Sequence, residues 1–385
     1  MILASMRFVH TSDWQVGKVF RFADDSTQSV LQDQRLEVIG RIGRLAREQG
    51  ASAVVVAGDI YDHEIPVDRT LRQPIERMRQ FPDLCWHLIA GNHDPNVPGG
   101  IWDRLHAIGL PDNITAHLDG RPAPMDPAGA AWVIPGGLKR RHVATDPTAD
   151  MDSAETPPGV IRVGLAHGSV RDFGSEEVQN RIAIDRARRA GLSYLALGDW
   201  HGQQRIDERT WYSGTPEIDG FDRGGDGGGH ALVVDLAGPN ALPEVTSHRV
   251  GRFVWHRDSA TLTQAHDIAA LEHRLRNIDP QEADRVLVWL DVRGALSLEG
   301  LQAYQDMLDA LGSALRLLRV DGEPTLLPHA DDLDLFGTGA VRAAAAILSE
   351  RAGNGPEAQR DIATAALRRL ALMVNAADGR KGTTS

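Results

Sequence analysis

At 385 residues the chain is long enough for one large domain and one or two small ones, with a substantial buried core. It is 42% hydrophobic and 24% charged, and no apolar run approaches the ~18 residues of a membrane span, so a soluble protein is expected and a transmembrane one excluded. The opening residues, Met1 to Arg7, carry no basic stretch followed by a long apolar one, and the single cysteine, Cys85, rules out an internal disulfide; both fit a cytoplasmic protein without a secretory signal. A formal net charge of -12 opposes a free-standing, tightly binding nucleic-acid protein, because phosphate affinity comes mainly from Lys and Arg. A local basic patch, or a partner that carries one, would answer that objection.

In chain order, Arg7 to Thr11 predicts a first strand that delivers Asp13. The spacing of Val38, Ile42, Leu45 and Ala46 predicts a helix over 31–47 with one face on a core. Ala53 to Ala57 is an unbroken apolar, β-branched run, the pattern of a strand covered on both faces, and it stops at Gly58-Asp59. A helix over 69–80 and a strand over 84–90 follow, the strand ending in Gly91-Asn92-His93-Asp94. Further strands are expected over 132–135, over 161–166 delivering His167, and over 194–197 delivering Gly198-Asp199-Trp200-His201. Residues 145–159, rich in Asp, Pro and Ala, read as an exposed mobile loop, and 210–213 with 231–236 as a late strand pair joined by the glycine-rich turn 222–229. Strands alternating with helices predict an α/β layered fold.

Five apolar runs thus stop at residues able to bind a metal: Asp13, Asp59, Asn92 with His93, His167, and Asp199 with His201. Taken singly, a Gly-Asp after a strand is a turn, and a lone His is a satisfied core or surface residue. Five at strand ends point instead to one site at the sheet's carboxyl edge. Carboxylate, amide and imidazole donors together suit hard or borderline divalent ions such as Mn²⁺, Fe²⁺ or Zn²⁺.

The series Asp13-Trp14-Gln15, Gly58-Asp59, Gly91-Asn92-His93-Asp94, His167 and Gly198-Asp199-Trp200-His201 resembles the calcineurin-like metallophosphoesterases, whose pattern is Asp-x-His, Gly-Asp, Gly-Asn-His-Asp/Glu, His and Gly-His-x-His. Within them, His10-Thr11-Ser12-Asp13-Trp14, Gly58-Asp59-Ile60-Tyr61-Asp62 with Pro66, and Tyr212-Ser213-Gly214-Thr215-Pro216-Glu217 resemble the SbcD-like DNA repair nucleases, over roughly residues 7 to 255. The resemblance implies a layered β-sandwich flanked by helices. It also implies two divalent ions, manganese first and Fe, Mg or Zn as alternatives. Asp59 would bridge them, one ion taking Asp13, Gln15 and His201 and the other Asn92, His167 and Asp199. His93 would be the imidazole that stabilises phosphate charge or protonates the leaving oxygen. Two positions depart from the pattern. Asp199 keeps a ligand where His is expected, whereas Gln15 replaces an imidazole by a weaker amide donor, so the first ion is expected to bind poorly or to be absent.

Beyond residue 255, helices around 267–276 and 301–311 and strands over 286–292 and 315–320 form a small α/β module. It reads equally as a packing appendage or, by resemblance, as a cap that shapes a DNA groove. After an Asp-rich linker come two amphipathic stretches, with Val341, Ala345 and Leu348 on one face and Ile362, Ala366, Leu370 and Met373 on the other, broken at Gly353 to Pro356; residues 376–385 are expected to be disordered. The hairpin either folds back on the body or, as the resemblance implies, grips the coiled-coil root of an SbcC-like SMC ATPase. The domains are therefore 1–255, a nuclease domain; 256–326, an α/β capping domain; and 327–385, linker and helical hairpin. The leading function is a metal-dependent DNA exonuclease or endonuclease subunit acting with that ATPase, as a monomer or a homodimer. The alternatives are a catalytically weakened scaffold of the same complex and a phosphodiesterase of small nucleotides.

Overall fold

The computed structural model describes residues 5–170, 179–221, 228–326, 333, 336 and 338–379. These divide into two compact units, Met1–Phe253 and Val254–Ser385. Among the described residues no helix is long and apolar enough to cross a membrane.

In the first unit the chain runs β1 (Met6–Thr11), α1 (Asp25–Glu48), β2 (Ala53–Val56), α2 (Asp68–Arg79), β3 (Cys85–Leu88), α3 (Ile101–Ile108), β4 (Ile114–Ala116), β5 (Ala123–Pro124), β6 (Ala131–Gly136), β7 (Ile161–His167), α4 (Arg186–Arg189), β8 (Tyr194–Gly198), β9 (Gln204–Arg205), β10 (Thr210–Tyr212), β11 (His230–Leu236) and β12 (Glu244–Arg249). Two six-stranded sheets result, in the orders β12-β11-β1-β2-β3-β4 and β5-β6-β7-β8-β10-β9. Alternation along the parallel strands decides what each face meets. Val9, Val54, Val56, Trp86 and Leu88 pack toward α1 and α2 with Ile39, Ile42 and Met78. Phe8, Ala53 and Val55 face the other way, onto Val163, Leu165, Tyr194 and Ala196 of the second sheet. The outer face of that sheet has its own core of Ile134, Ala166, Leu195 and Leu197 with Ala187 and Met151. A sandwich of two sheets with helices outside accounts for the continuous apolar runs, since a strand such as Ala53–Val56 has no face toward water.

Two expectations change. Residues 210–213 and 231–236 are not partners: β10 lies parallel to β8 in the second sheet, while β11 is antiparallel to β1 in the first. Residues 222–227, most of the expected turn, fall outside the described residues. The stretch 145–159 is exposed at most positions, as expected, but it is anchored, with Thr148 and Met151 buried. The Asp146 carboxylate accepts from Thr148 N, Ala183 N and Arg186, and Asp152 pairs with the same buried guanidinium, so two of its carboxylates tie it down.

The second unit begins earlier than the periodicity indicated, with β13 (Val254–Leu262), and continues through α5 (Ala265–Arg276), β14 (Val286–Leu296), α6 (Leu298–Ala314), β15 (Leu317–Asp321), β16 (Thr325–Leu326), α7 (Ala340–Asn354) and α8 (Glu357–Gly379). β13, β14 and β15 are parallel neighbours, and α5 and α6 are the crossovers that parallel strands require. Each crossover helix is capped, α5 by a Gln264–Asp267 capping box and α6 by Ser297, which accepts from Gly300 N. Ala345 of α7 and Leu367 of α8 are buried in the same core as Leu271, Val288, Leu290 and Tyr304. The α8 face that packs is therefore Ala363 and Leu367 with Leu370 and Val374, rotated from the expected stripe, and it leaves Ile362 71% and Met373 64% exposed. Helix persists to Gly379, past the expected onset of disorder at residue 376.

His10, in β1 between the sheets, lies 3.0 Å from the Tyr194 hydroxyl and 3.2 Å from the Leu197 carbonyl. Nε2 donates to the carbonyl and Nδ1 accepts from the phenol, so the ring is neutral, and burial pushes its pKa down to about 3. Between the ordinary histidine pKa of about 6.5 and pH 3, the unfolded chain binds a proton that the folded one refuses, so stability falls as pH drops through this window. Urea midpoints measured between pH 7 and pH 5 are expected to fall less steeply in His10→Gln than in the parent, by up to ~1.4 kcal/mol per pH unit for the one proton removed. Equal slopes would mean that His10 titrates alike in both states.

Candidate metal centre

The loops that follow β1 and β2 extend the pairing of their strands: Asp13 N donates to Gly58 O at 3.1 Å, Gln15 N to Asp59 O at 2.9 Å and Val16 N to Ile60 O at 2.8 Å. Between the two expected ligands, Trp14 turns the opposite way, fully buried against Trp86, with its Nε1 donating to Thr11 Oγ1. That anchor directs Asp13 and Gln15 to the site side of the loop. Asp13, Gln15, Asp59 and Asp199 all adopt positive φ, at 54°, 44°, 53° and 104°. Such conformations cost energy for residues other than glycine, and four together at the carboxyl ends of strands from both sheets mark a place where side-chain aim outweighs local comfort. Glycines make the close approach possible. A Cβ on Gly91 would overlap the Asp59 carboxylate and its backbone nitrogen, and one on Gly198 would strike the Ala57 carbonyl.

Asp13, Asp59 and His167, all buried, bring one ligand atom each to within 4.8 Å of one another. His167 Nδ1 donates to the Ala57 carbonyl at 2.8 Å, which turns Nε2 into the cluster. There Nε2 lies 3.1 Å from Asn92 Oδ1, 3.5 Å from Asp59 Oδ1 and 3.7 Å from Asp199 Oδ1. Five of the expected ligands, Asp13, Asp59, Asn92, His167 and Asp199, are thus tied to one small volume, Asp13 through the Asp199 N–H that it accepts at 3.2 Å. Gln15 and His201 are turned elsewhere: Gln15 Nε2 is 3.1 Å from His201 Nε2, Gln15 Oε1 accepts from Lys18 Nζ, and His201 Nδ1 faces Asp219. His93 stands at the rim, 28% exposed, with Nδ1 donating to the Asp62 carbonyl at 2.7 Å and Nε2 4.0 Å from Asp59 Oδ2.

Electrostatics describe a site built for a cation. Burial pushes the Asp13 carboxyl up to about 6, and burial with the neighbouring Asp59 charge pushes Asp94 up to about 8. Burial also raises Asp199. Burial alone would lower His167, yet the carboxylates of Asp59, Asp13 and Asp199 outweigh it and hold the imidazolium to about 9. Crowded carboxylates that bind protons this readily are relieved by a divalent ion, and the oxygen-rich set with one imidazole fits Mn²⁺ or Fe²⁺.

Several supporting residues escaped the sequence reading. Asp94 accepts from Gly91 N, Ile60 N and Tyr61 N, and so fastens the Asn92-His93 loop to the Asp59 loop. Buried Arg35 and Asp219 form a charge cluster with part-buried Lys18 beside Gln15. One signal was present: Arg35 falls on the apolar stripe of α1, between Leu31 and Val38, and a buried guanidinium requires a carboxylate.

Known proteins resemble this chain. The model of the calcineurin-like phosphoesterase family matches residues 6–201, from the first strand to His201. The D component of the SbcCD nuclease of Bacillus subtilis (strain 168) is 24% identical over 256 residues, covering 57% of this chain and 64% of that protein; the chain thus spans just under two thirds of that relative's length. Among solved structures, TT1561 of Thermus thermophilus is 13% identical and aligns with 64% of this chain and 99% of its own, at a TM-score of 0.38. With the family model spanning more than half of the chain and Asp13, Asp59 and His167 brought together from strand ends of both sheets, the chain belongs to the calcineurin-like phosphoesterase family.

Proposed function

We propose that the protein is a metal-dependent phosphodiesterase that cuts DNA, working in cytoplasmic DNA repair as the nuclease subunit of a complex with a coiled-coil SMC-like ATPase. The observation that carries this reading is the convergence of Asp13, Asp59 and His167, with Asn92 and Asp199 beside them and His93 at the open rim. The first five residues would hold a divalent cation, manganese being the first to test, and such an ion supplies Lewis-acid stabilisation of a phosphoryl oxygen and a more acidic attacking water. His93 is placed for the complementary task. Its Nδ1 proton is committed to the Asp62 carbonyl, so Nε2 is the atom free to carry and deliver a second proton to a phosphate or leaving oxygen. Its backbone N–H meanwhile donates to Asp59 Oδ1 at 2.9 Å and fixes the carboxylate's orientation. The motifs shared with SbcD-like nucleases and the similarity to a component of the SbcCD nuclease support DNA over small nucleotides.

For the ATPase, the supporting feature is the uncovered apolar surface of the C-terminal hairpin, where Ile347, Ile362 and Met373 stand in solvent although the opposite face is buried. Coiled-coil segments dock on apolar surfaces of this kind by helix packing.

Asp59→Asn is expected to lose bound manganese and hydrolysis of a linear DNA duplex together, read by metal analysis and nucleotide release; retention of both would remove Asp59 from the centre. His93→Ala is expected to keep the metal while slowing hydrolysis by about 10²- to 10⁴-fold. If that variant instead lost its metal, His93 would be a ligand. Changing Ile347, Ile362 and Met373 together to Lys should abolish co-purification with a coiled-coil ATPase and leave manganese-dependent hydrolysis of bis(p-nitrophenyl) phosphate unchanged. Undiminished co-purification would place the contact elsewhere.

A further inference from the structure

The residues at the first of the two expected ion positions do not fit a metal, and Lys18 is the reason. An ammonium has donors only, so the amide atom 2.9 Å from Lys18 Nζ must be the Gln15 oxygen. The Gln15 nitrogen is thereby turned toward His201 Nε2 at 3.1 Å. An amide N–H donates and cannot ligate a cation. The atom that receives it is the imidazole lone pair that an ion would use: an amide N–H needs an acceptor, and the Asp219 carboxylate 3.0 Å from the ring's other nitrogen favours the proton there by charge. The arrangement is anchored from behind. Lys18 Nζ also contacts Asp219 Oδ2 at 2.5 Å, Arg35 Nη2 lies 3.6 Å from the same oxygen, and the side chains of Arg35 and Asp219 are each 1% exposed. Backbone pairing of Gln15 N to Asp59 O fixes where the side chain starts, and the Lys18 contact then selects which end of the amide faces His201.

We propose that this chain holds one divalent ion, on Asp13, Asp59, Asn92, His167 and Asp199, and that the linked side chains of Lys18, Gln15, His201 and Asp219 close the second position. Lys18 is a positioning residue: it acts through Gln15, by choosing which end of the amide faces the site. The inference rests on the metal-dependent reading above and fixes how many ions that reading involves.

Manganese binding by the full chain tests it, by equilibrium dialysis with metal analysis and by electron paramagnetic resonance. The parent is expected to bind one Mn²⁺ per chain, with the six-line spectrum of an isolated ion. Lys18→Met removes the donor that holds the Gln15 oxygen. The amide can then rotate its oxygen inward, and a second equivalent is expected, with the multiline signal of two coupled ions. Lys18→Arg keeps donors only and should stay at one ion. A parent that binds two coupled ions overturns the inference while leaving the hydrolase reading intact, and a parent that binds none overturns both. A Lys18→Met variant that folds and remains at one ion shows that Lys18 does not control the position. Should that variant not fold, the stoichiometry and spectrum of the parent still decide.

Discussion

The constraint on which the site depends is the zipper between the loops that leave β1 and β2. Parallel neighbouring strands normally diverge at their ends, but here the pairing continues through Asp13, Gln15 and Val16 on one side and Gly58, Asp59 and Ile60 on the other. Two carboxylates from distant points in the sequence are thus held in a fixed register without relying on side-chain contacts. The cost is left-handed backbone at Asp13, Gln15 and Asp59. Strain of about 1–3 kcal/mol per residue persists only where surrounding packing over-determines it. Trp14 and Trp86 provide that packing on the helix side, and the Asp94 carboxylate, bonded to three backbone N–H groups, provides it on the other.

A second layer of support aims each side chain. The proton on His167 Nδ1 is spent on the Ala57 carbonyl and that on His93 Nδ1 on the Asp62 carbonyl, so both rings present Nε2 to the centre. They differ in burial: His167 is sealed inside, whereas His93 is partly exposed. That difference underlies the separate roles proposed for them, His167 as a ligand and His93 as a group that exchanges protons with an incoming phosphate, although both come from apolar runs ending in polar residues.

Much of this was legible in the sequence because the parallel strands are buried on both faces. Ala53–Val56 therefore stands out as an unbroken apolar run and Ile161–His167 as an apolar one interrupted at Arg162 and Gly164, and polar residues follow where each strand ends. What was not legible depends on distant partners. β11 joins β1 through antiparallel pairing across more than two hundred residues, and no local pattern distinguishes that from pairing with β10. The stretch 145–159 has the composition of a loop, but its carboxylates belong to Arg186, a residue that follows it by about thirty to forty positions. On α8 the alanines and leucines offer several nearly equivalent apolar stripes, and only contact with the core of the second unit selects the one containing Leu367.

The same dependence on distant partners governs the two departures from the family pattern. Read separately, Gln15 weakens a metal position and Asp199 adds a negative charge. In three dimensions they belong to one charge balance. Asp13, Asp59 and Asp199 surround the centre, and Asp219 lies behind Gln15; His201, Arg35 and Lys18 outweigh the burial of Asp219 and hold its carboxyl well below the ordinary range. With the single ion proposed above, four carboxylates would be balanced by one divalent cation together with Lys18 and Arg35. A second divalent ion would add positive charge beside the part-buried Lys18 ammonium, where repulsion is only partly screened. An imidazole at position 15 would lack the carbonyl oxygen that holds Lys18, and a neutral imidazole at position 199 would remove the charge that compensates it. The glutamine, the aspartate and the lysine therefore form a mutually consistent set, in which a protein cation takes over part of the electrostatic work that a second metal would do.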